Sequence, residues 1–358
     1  MNAYAVIMAG GSGERFWPLS RSKRPKQLLA LTSQRMMIEE AIERIAPIIP
    51  LERVLIITSA VLQQPIIDAL PLLPPQNVIA EPAKRNTAPC LALACSVIES
   101  REGGDALMAV LTADHFIGNV DAFRHDVQVA LDYAKGHDAL LTLGIPPTRP
   151  ETGYGYIRMT SAAAPSTVTS VAEFKEKPTI NVAMQYLRSG EYVWNSGMFF
   201  WRTHALSSAM NASLPEVGSL INDMTSAISA EDSAALTSTF SKMPDISIDY
   251  GVMERATNVF VVPASFPWDD VGSWDSLDRM QPRDDQGNVL QGPSTVVDTN
   301  NSVIVNAHDG SHIVTGVGLD DIVVVVTNDA TMVCAKERAQ DVKLIVKTLR
   351  EQGRSDVL

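Results

Sequence analysis

Cysteine is scarce in this chain: Cys90, Cys95 and Cys334 are the whole complement among 358 residues, and no two of them form a C-x-x-C pair. That excludes a disulfide framework and gives no zinc-type spacing, so all three read as free thiols, the first two within an apolar, helix-like run. Long apolar runs are missing as well. No stretch reaches the ~18 consecutive apolar residues of a membrane helix, and the N-terminus has no basic segment leading into the apolar core of a signal peptide. A cytoplasmic protein with no membrane partner is expected. Positive charge is in deficit, with 29 Lys and Arg against 41 Asp and Glu and a net charge of -12. This argues against nucleic acid or an anionic lipid surface as the main partner, although local basic clusters can still hold small anions.

What the chain does have is alternation. Short β-rich runs, YAVIM (4–8), VLIITS (54–59), NVIA (77–80), LMAVLTAD (107–114) and ALLTLGI (139–145), are separated by stretches with apolar residues at helical spacing, such as 36–45 and 87–99. Such a pattern predicts a parallel sheet covered by helices. Beyond Gly144, the strands YGYIRM, VAEFKEK and GMFFWR lie among longer loops and read as the substrate-facing half of the same domain. From about Pro282 the chain turns to turn-rich β segments and closes with a charged helix near 337–352. We therefore divide it into an α/β domain over residues 1–281 and a small β-rich domain with a terminal helix over 282–358. The tail's strand-turn rhythm is too brief to define a solenoid by period. Its apolar run from Ile322 must pack on the α/β domain or on a second copy of the chain, which would make a homo-oligomer through the tail.

The stretch MAGGSGERFWPLSRSKRPKQ follows the first strand directly. A loop between the carboxyl end of a strand and a helix is where open α/β sheets bind ligands, and glycines there expose backbone N–H groups to an anion. The dinucleotide pattern G-x-G-x-x-G fails, since counting from Gly11 and Gly13 places Phe16 at the last glycine, and no G-x-x-x-x-G-K-[ST] occurs. Instead Gly10, Gly11 and Gly13 lead into Arg15, Arg21, Lys23, Arg24 and Lys26. A glycine turn with a solvated basic face remains the plain alternative to a phosphate loop.

GGSGERFWPLSRSKRPKQ resembles the signature of sugar-nucleotide pyrophosphorylases, nucleotidyltransferases that join a nucleoside triphosphate to a sugar 1-phosphate. EPAKRNTAP (81–89), LTADH (111–115), TGYGYI (152–157), FKEKP (174–178), WNSGMFFW (194–201), SIDYGVMER (247–255) and WDDVGSW (268–274) follow in order. Together they resemble the mannose-1-phosphate guanylyltransferase branch. The resemblance implies a Rossmann-like mixed sheet and Mg²⁺-dependent transfer of GMP from GTP to mannose 1-phosphate, giving GDP-mannose and pyrophosphate. Many bacterial relatives continue into an isomerase domain, so a monofunctional form is expected here. The same chemistry with another base or hexose, and a non-catalytic sugar-nucleotide sensor, remain alternatives.

The residue types suit that chemistry. In-line attack of a sugar phosphate on an α-phosphorus needs positioned anions and neutralised charge rather than a protein nucleophile. Asp114 ends a strand and Asp270 lies in WDDVGSW. Either one alone reads as a cap or turn residue, but by resemblance they form a Mg²⁺ site, with Asp270 favoured over Asp269. Arg15 and Lys26 are placed by resemblance on the triphosphate and the departing pyrophosphate. Lys177, by itself a solvated strand-end charge, becomes the anchor for the sugar phosphate. Glu176 and Asn195 offer a carboxylate and an amide to sugar hydroxyls, and Gly153 and Gly155 leave room for the ring. Glu81 stands where related pyrophosphorylases put a base-reading side chain, with Lys84, Arg85 and Asn86 within reach of the base edge, ribose or phosphates. A surface pair of Glu81 with Lys84 or Arg85 is the plain alternative. Trp194, Phe199, Phe200 and Trp201 read as core and pocket wall. His308 and His312 read as surface residues, and His115 as a neighbour of Asp114 without a catalytic role.

Overall fold

The computed structural model describes residues 2–358, which fall into two compact units. The first comprises the segment ending at Ala9, Ala41–Thr112 and Ile117–Pro267; the second comprises Gly10–Glu40, Ala113–Phe116 and Trp268–Leu358. No described helix is long and apolar enough to cross a membrane.

In the first unit, strands β1 (Ala3–Met8), β2 (Val54–Ser59), β3 (Val78–Glu81) and β4 (Leu107–Thr112) come from the apolar runs identified above. They are followed by the two-residue β5 (Phe116–Ile117), of which only Ile117 belongs to this unit, then β6 (Leu140–Ile145), β7 (Gly155–Met159), β8 (Thr169–Glu176), β9 (Tyr192–Arg202) and β10 (Val259–Pro263). Nine of these ten form one sheet in the order β3-β2-β1-β4-β9-β6-β10-β8-β7. The first four are parallel neighbours. The parallel run is then broken, because β9 inserts antiparallel between β4 and β6. β9 can occupy the middle of the sheet because Trp194, Phe199, Phe200 and Trp201 are fully or almost fully buried. Parallel register sets Met8 beside Thr112 and Ser59 beside Glu81, so the chain leaves β1, β3 and β4 at one sheet edge. Helix Thr87–Glu102 lies in the core, with Leu91, Leu93, Cys95 and Ile98 buried beside Val6, Leu55 and Met108.

The second unit gathers three distant segments. Its tail contains β11 (Trp268–Asp269), β12 (Val289–Gln291), β13 (Ser294–Val297), β14 (Val303–Asn306), β15 (Val314–Val317), β16 (Ile322–Val326) and β17 (Thr331–Ala335). Here β12, β14 and β16 pair in parallel, as do β13 and β15. Ser294 lies beside Val314 and Val303 beside Val323, an advance of 20 residues each time, so the tail winds as a coil. Its apolar run packs within the unit. Val323 and Val325 are buried with Phe16, Trp17, Leu29 and Leu31 of the glycine-loop segment and with Trp274 and Val346. Phe16 and Trp274 meet edge to face at 5.1 Å between ring centres. The compact units therefore cut across the linear division at 281/282, because the aromatic residues after the glycines fill the core of the β-rich part.

Candidate active site

A cleft of about 380 Å³ in the second unit brings together Gly13, Arg15, Lys26, Asp114, His115 and Asp270. Gly13 adopts φ +62, and a Cβ there would lie 2.5 Å from the Lys26 Cβ and 2.7 Å from its backbone nitrogen. Only glycine fits so close to a second backbone. Gly11 faces open space, and Gly10 is exposed. The loop thus holds Lys26, whose side chain is only 7% exposed, against the cleft. Its ammonium donates to the Asp270 carbonyl at 2.7 Å and pairs with Asp114 Oδ2 at 3.0 Å. Burial pushes the Asp114 carboxyl up, but the charge of Lys26, aided by His115 and by the Lys26 hydrogen bond, holds it below its usual value. It therefore stands ionised at neutral pH.

Asp269 and Asp270 have different surroundings. Asp269 is buried, accepting from Arg279 Nε at 2.6 Å and Nη2 at 3.2 Å, and from the Val271 amide at 2.8 Å. Val271 is β-branched yet sits at φ +51, a costly conformation at the wall of the cleft. Asp270 is the member of the pair that lines the cleft. His115 accepts from the Trp268 indole at 3.2 Å through Nδ1, which leaves the proton of a neutral ring on Nε2. Of the remaining basic run, Arg21 donates to the Val357 carbonyl at 2.7 Å and to Asp329 at 2.6 Å, while Lys23 and Arg24 are exposed and do not line the cleft.

A polar cluster forms separately within the first unit. Register opposes Gly155 to Glu176 across β7 and β8, and a Cβ on Gly155 would lie 2.5 Å from Glu176 Oε2. That oxygen is buried without a hydrogen-bond partner, whereas Oε1 accepts from the Lys177 ammonium at 2.8 Å. Burial alone would lower the Lys177 ammonium, but the hydrogen bond and charge of Glu176 hold it above its usual value. Asn195 donates to Asp249 Oδ1 at 2.9 Å and accepts from Thr142 Oγ1 at 3.0 Å. Burial, then the charge of Glu176, pushes the Asp249 carboxyl up to about 7. Gly153 stands apart in the exposed turn before β7, its amide donating to Glu151 at 3.1 Å. Asp249 is the residue that sequence reasoning missed; SIDYGVMER is visible as a motif, but nothing in it singles out this aspartate before the chain folds.

Glu81 closes β3 with Oε1 buried and unpartnered, and burial pushes its carboxyl up to about 7. Among the described residues it makes no ion pair with Lys84 or Arg85, so the surface-pair alternative is not formed. Arg85 donates through Nη2 to the Ser241 carbonyl at 3.2 Å and has its Nε buried without a partner. The Asn86 side chain caps helix Thr87–Glu102, accepting from the Thr87 amide at 2.9 Å.

Residues 4–287 match the nucleotidyl transferase family profile, and 292–349 match that of the mannose-phosphate isomerase/GMP-like β-helix domain. A mannose-1-phosphate guanylyltransferase of Klebsiella pneumoniae is 40% identical over 98% of this chain and 74% of its own length. The chain belongs to the mannose-1-phosphate guanylyltransferase family. Another relative, the alginate biosynthesis protein AlgA of Pseudomonas putida, is 40% identical over 98% of this chain and 72% of its own length. A crystal structure from Thermus thermophilus, described as a mannose-1-phosphate geranyltransferase, superposes with a TM-score of 0.87 at 35% identity and covers 98% of this chain and 100% of that one. Membership in the guanylyltransferase family accounts for both the mixed sheet and the coiled tail.

Proposed function

We propose that the protein transfers GMP from GTP to α-D-mannose 1-phosphate, releasing pyrophosphate and supplying GDP-mannose for glycan or polysaccharide synthesis. The observation that carries this reading is the cleft in which a glycine loop, Arg15, Lys26, Asp114 and Asp270 converge. A phosphate oxygen of the sugar attacks the α-phosphorus of GTP, and the bond from that phosphorus to the oxygen bridging it to the β-phosphate breaks as pyrophosphate leaves. Arg15 and Lys26 bind the phosphate chain and oppose the charge that develops on the departing end. Among the described residues no three His, Cys, Asp or Glu side chains cluster as a metal cage. Two carboxylates facing a phosphate site instead suit Mg²⁺, which fills the rest of its oxygen shell from phosphate and water. Asp114 and Asp270 would hold it, and bound there it would supply fixed positive charge to the phosphates.

Lys177 anchors the sugar phosphate, while Glu176 and Asn195, the latter oriented by Asp249, receive the sugar hydroxyls. Glu81 faces the N1 and N2 donors of guanine, an edge that adenine lacks. The test is a panel of four nucleoside triphosphates against several hexose 1-phosphates, read by pyrophosphate release with and without Mg²⁺. The expected result is strongest turnover with GTP and mannose 1-phosphate, lost on chelation. Preference for another pair of substrates would reassign base and sugar, and no release with any pair would end the reading.

A further inference from the structure

The helix Val342–Glu351 carries three cations, and two are committed to neighbours: Lys347 pairs with Glu351 at 3.8 Å and Arg350 with Glu14 at 3.0 Å. The third, Lys343, lines the same cleft as Arg15, Lys26, Asp114 and Asp270. It is exposed and, among the described residues, has no hydrogen-bond or ion-pair partner. Its base is fixed. Val342 and Val346, on either side, are buried with Phe16 and Trp17, and the Trp17 indole donates to the Val357 carbonyl at 2.8 Å.

The charge balance of the cleft makes this lysine consequential. Lys26 is neutralised by Asp114, and Glu14 is matched by Arg350. Arg15 would otherwise be the cleft's sole uncommitted cation among the described residues. That is little for an anion as highly charged as a triphosphate or pyrophosphate. We propose that Lys343, from the last helix of the β-rich tail, is a phosphate-binding residue that contacts the triphosphate of the nucleotide and the pyrophosphate it releases. The tail then contributes directly to the substrate site. This inference rests on the nucleotidyltransferase reading above.

The experiment uses the full chain and the variants Lys343→Ala, Lys343→Arg and Lys347→Ala. Calorimetric binding of inorganic pyrophosphate with Mg²⁺ is measured alongside KM values for GTP and for mannose 1-phosphate. In Lys343→Ala, the pyrophosphate Kd and the KM for GTP should rise about 5-fold or more, while the KM for mannose 1-phosphate stays within about 2-fold. Lys343→Arg should restore most of the affinity, and Lys347→Ala should match the parent. If the parent makes GDP-mannose and Lys343→Ala binds pyrophosphate unchanged, the inference fails and the functional reading stands. Equal weakening by Lys343→Ala and Lys347→Ala would reduce the effect to general surface charge and also overturn the inference. A parent that binds pyrophosphate through Lys343 but turns over neither substrate would sustain the inference and sink the functional reading. A parent that binds no pyrophosphate would overturn the inference and leave the functional reading to the turnover panel.

Discussion

Asp114 and Asp270 share a cleft but not a role in holding it together, and their variants should differ accordingly. Asp114→Asn and Asp270→Asn should each lower kcat by roughly 100-fold or more, the scale of a lost electrostatic contact in the transition state. Asp114→Asn also weakens the ion pair of the buried Lys26 ammonium, so its melting temperature should fall by a few degrees while that of Asp270→Asn stays near the parent. Near-normal turnover in both would remove the two-carboxylate proposal. Glu81 gives a prediction of opposite sign for stability. Its carboxyl rises from 4.5 to about 7 on folding, so between those values the folded chain keeps a proton that the unfolded chain releases. Stability from this group is therefore greatest below the lower value and is lost as pH rises through the higher one. Glu81→Gln should raise stability at pH 8 by on the order of 1 kcal/mol, once solvent screening is allowed for, and leave it unchanged near pH 4. If Glu81 reads guanine, the same variant should narrow the kcat/KM preference for GTP over ATP by roughly 1 to 3 kcal/mol. A preference left intact would move base reading to backbone groups. Such residues are legible by type and place in a motif. The orphaned oxygen of Glu81 and the elevated carboxyl of Asp249 exist only after burial, which no spacing of residues reports.

At the scale of elements, the glycine loop makes the sharpest prediction. Gly13→Ala would force a side chain onto φ +62 and into the Lys26 backbone, whereas Gly11→Ala would meet nothing within 4 Å. The first should cost more than about 1 kcal/mol of stability and raise the KM for GTP; the second should melt like the parent. Equal melting temperatures would show that the loop does not depend on this close approach. The strands around the loop were plain in the sequence because β1, β2 and β4 are buried on both faces and read as continuous apolar runs. The position of β9 was not, since apolar pattern measures burial and says nothing of which neighbours a strand pairs with. The coil of the tail was hidden for a related reason. Its corners, Asp298 at φ +50 and Gly318 at φ +66, or Asn301 and Asp321 at φ +48, recur after 20 residues, yet only one full repeat is present. A period cannot be counted from a single interval.

For the whole molecule, the linear division at 281/282 and the two compact units group the residues differently. The turn-rich tail is distinct in sequence, but Phe16, Trp17, Leu29 and Leu31 share its core. A chain ending at Arg279 would therefore strip one side from that cluster, and we expect it to lose solubility and GTP binding together. The check is sedimentation and nucleotide titration of the truncated chain; a soluble fragment that binds GTP normally would show the glycine segment to be self-supporting. Lys177→Ala offers the contrasting case, since its cluster lies wholly in the first unit: the KM for mannose 1-phosphate should rise about 10-fold while that for GTP changes little. Equal effects on both substrates would place Lys177 elsewhere. The discontinuity of the second unit has a temporal side as well. A ribosome releases residues 10–40 long before 268–358, so the glycine-loop segment must wait, its large apolar side chains uncovered, until residues 268–358 have emerged. During that interval the nascent chain exposes a hydrophobic segment with no native partner, and the enzyme's dependence on chaperones should be concentrated there.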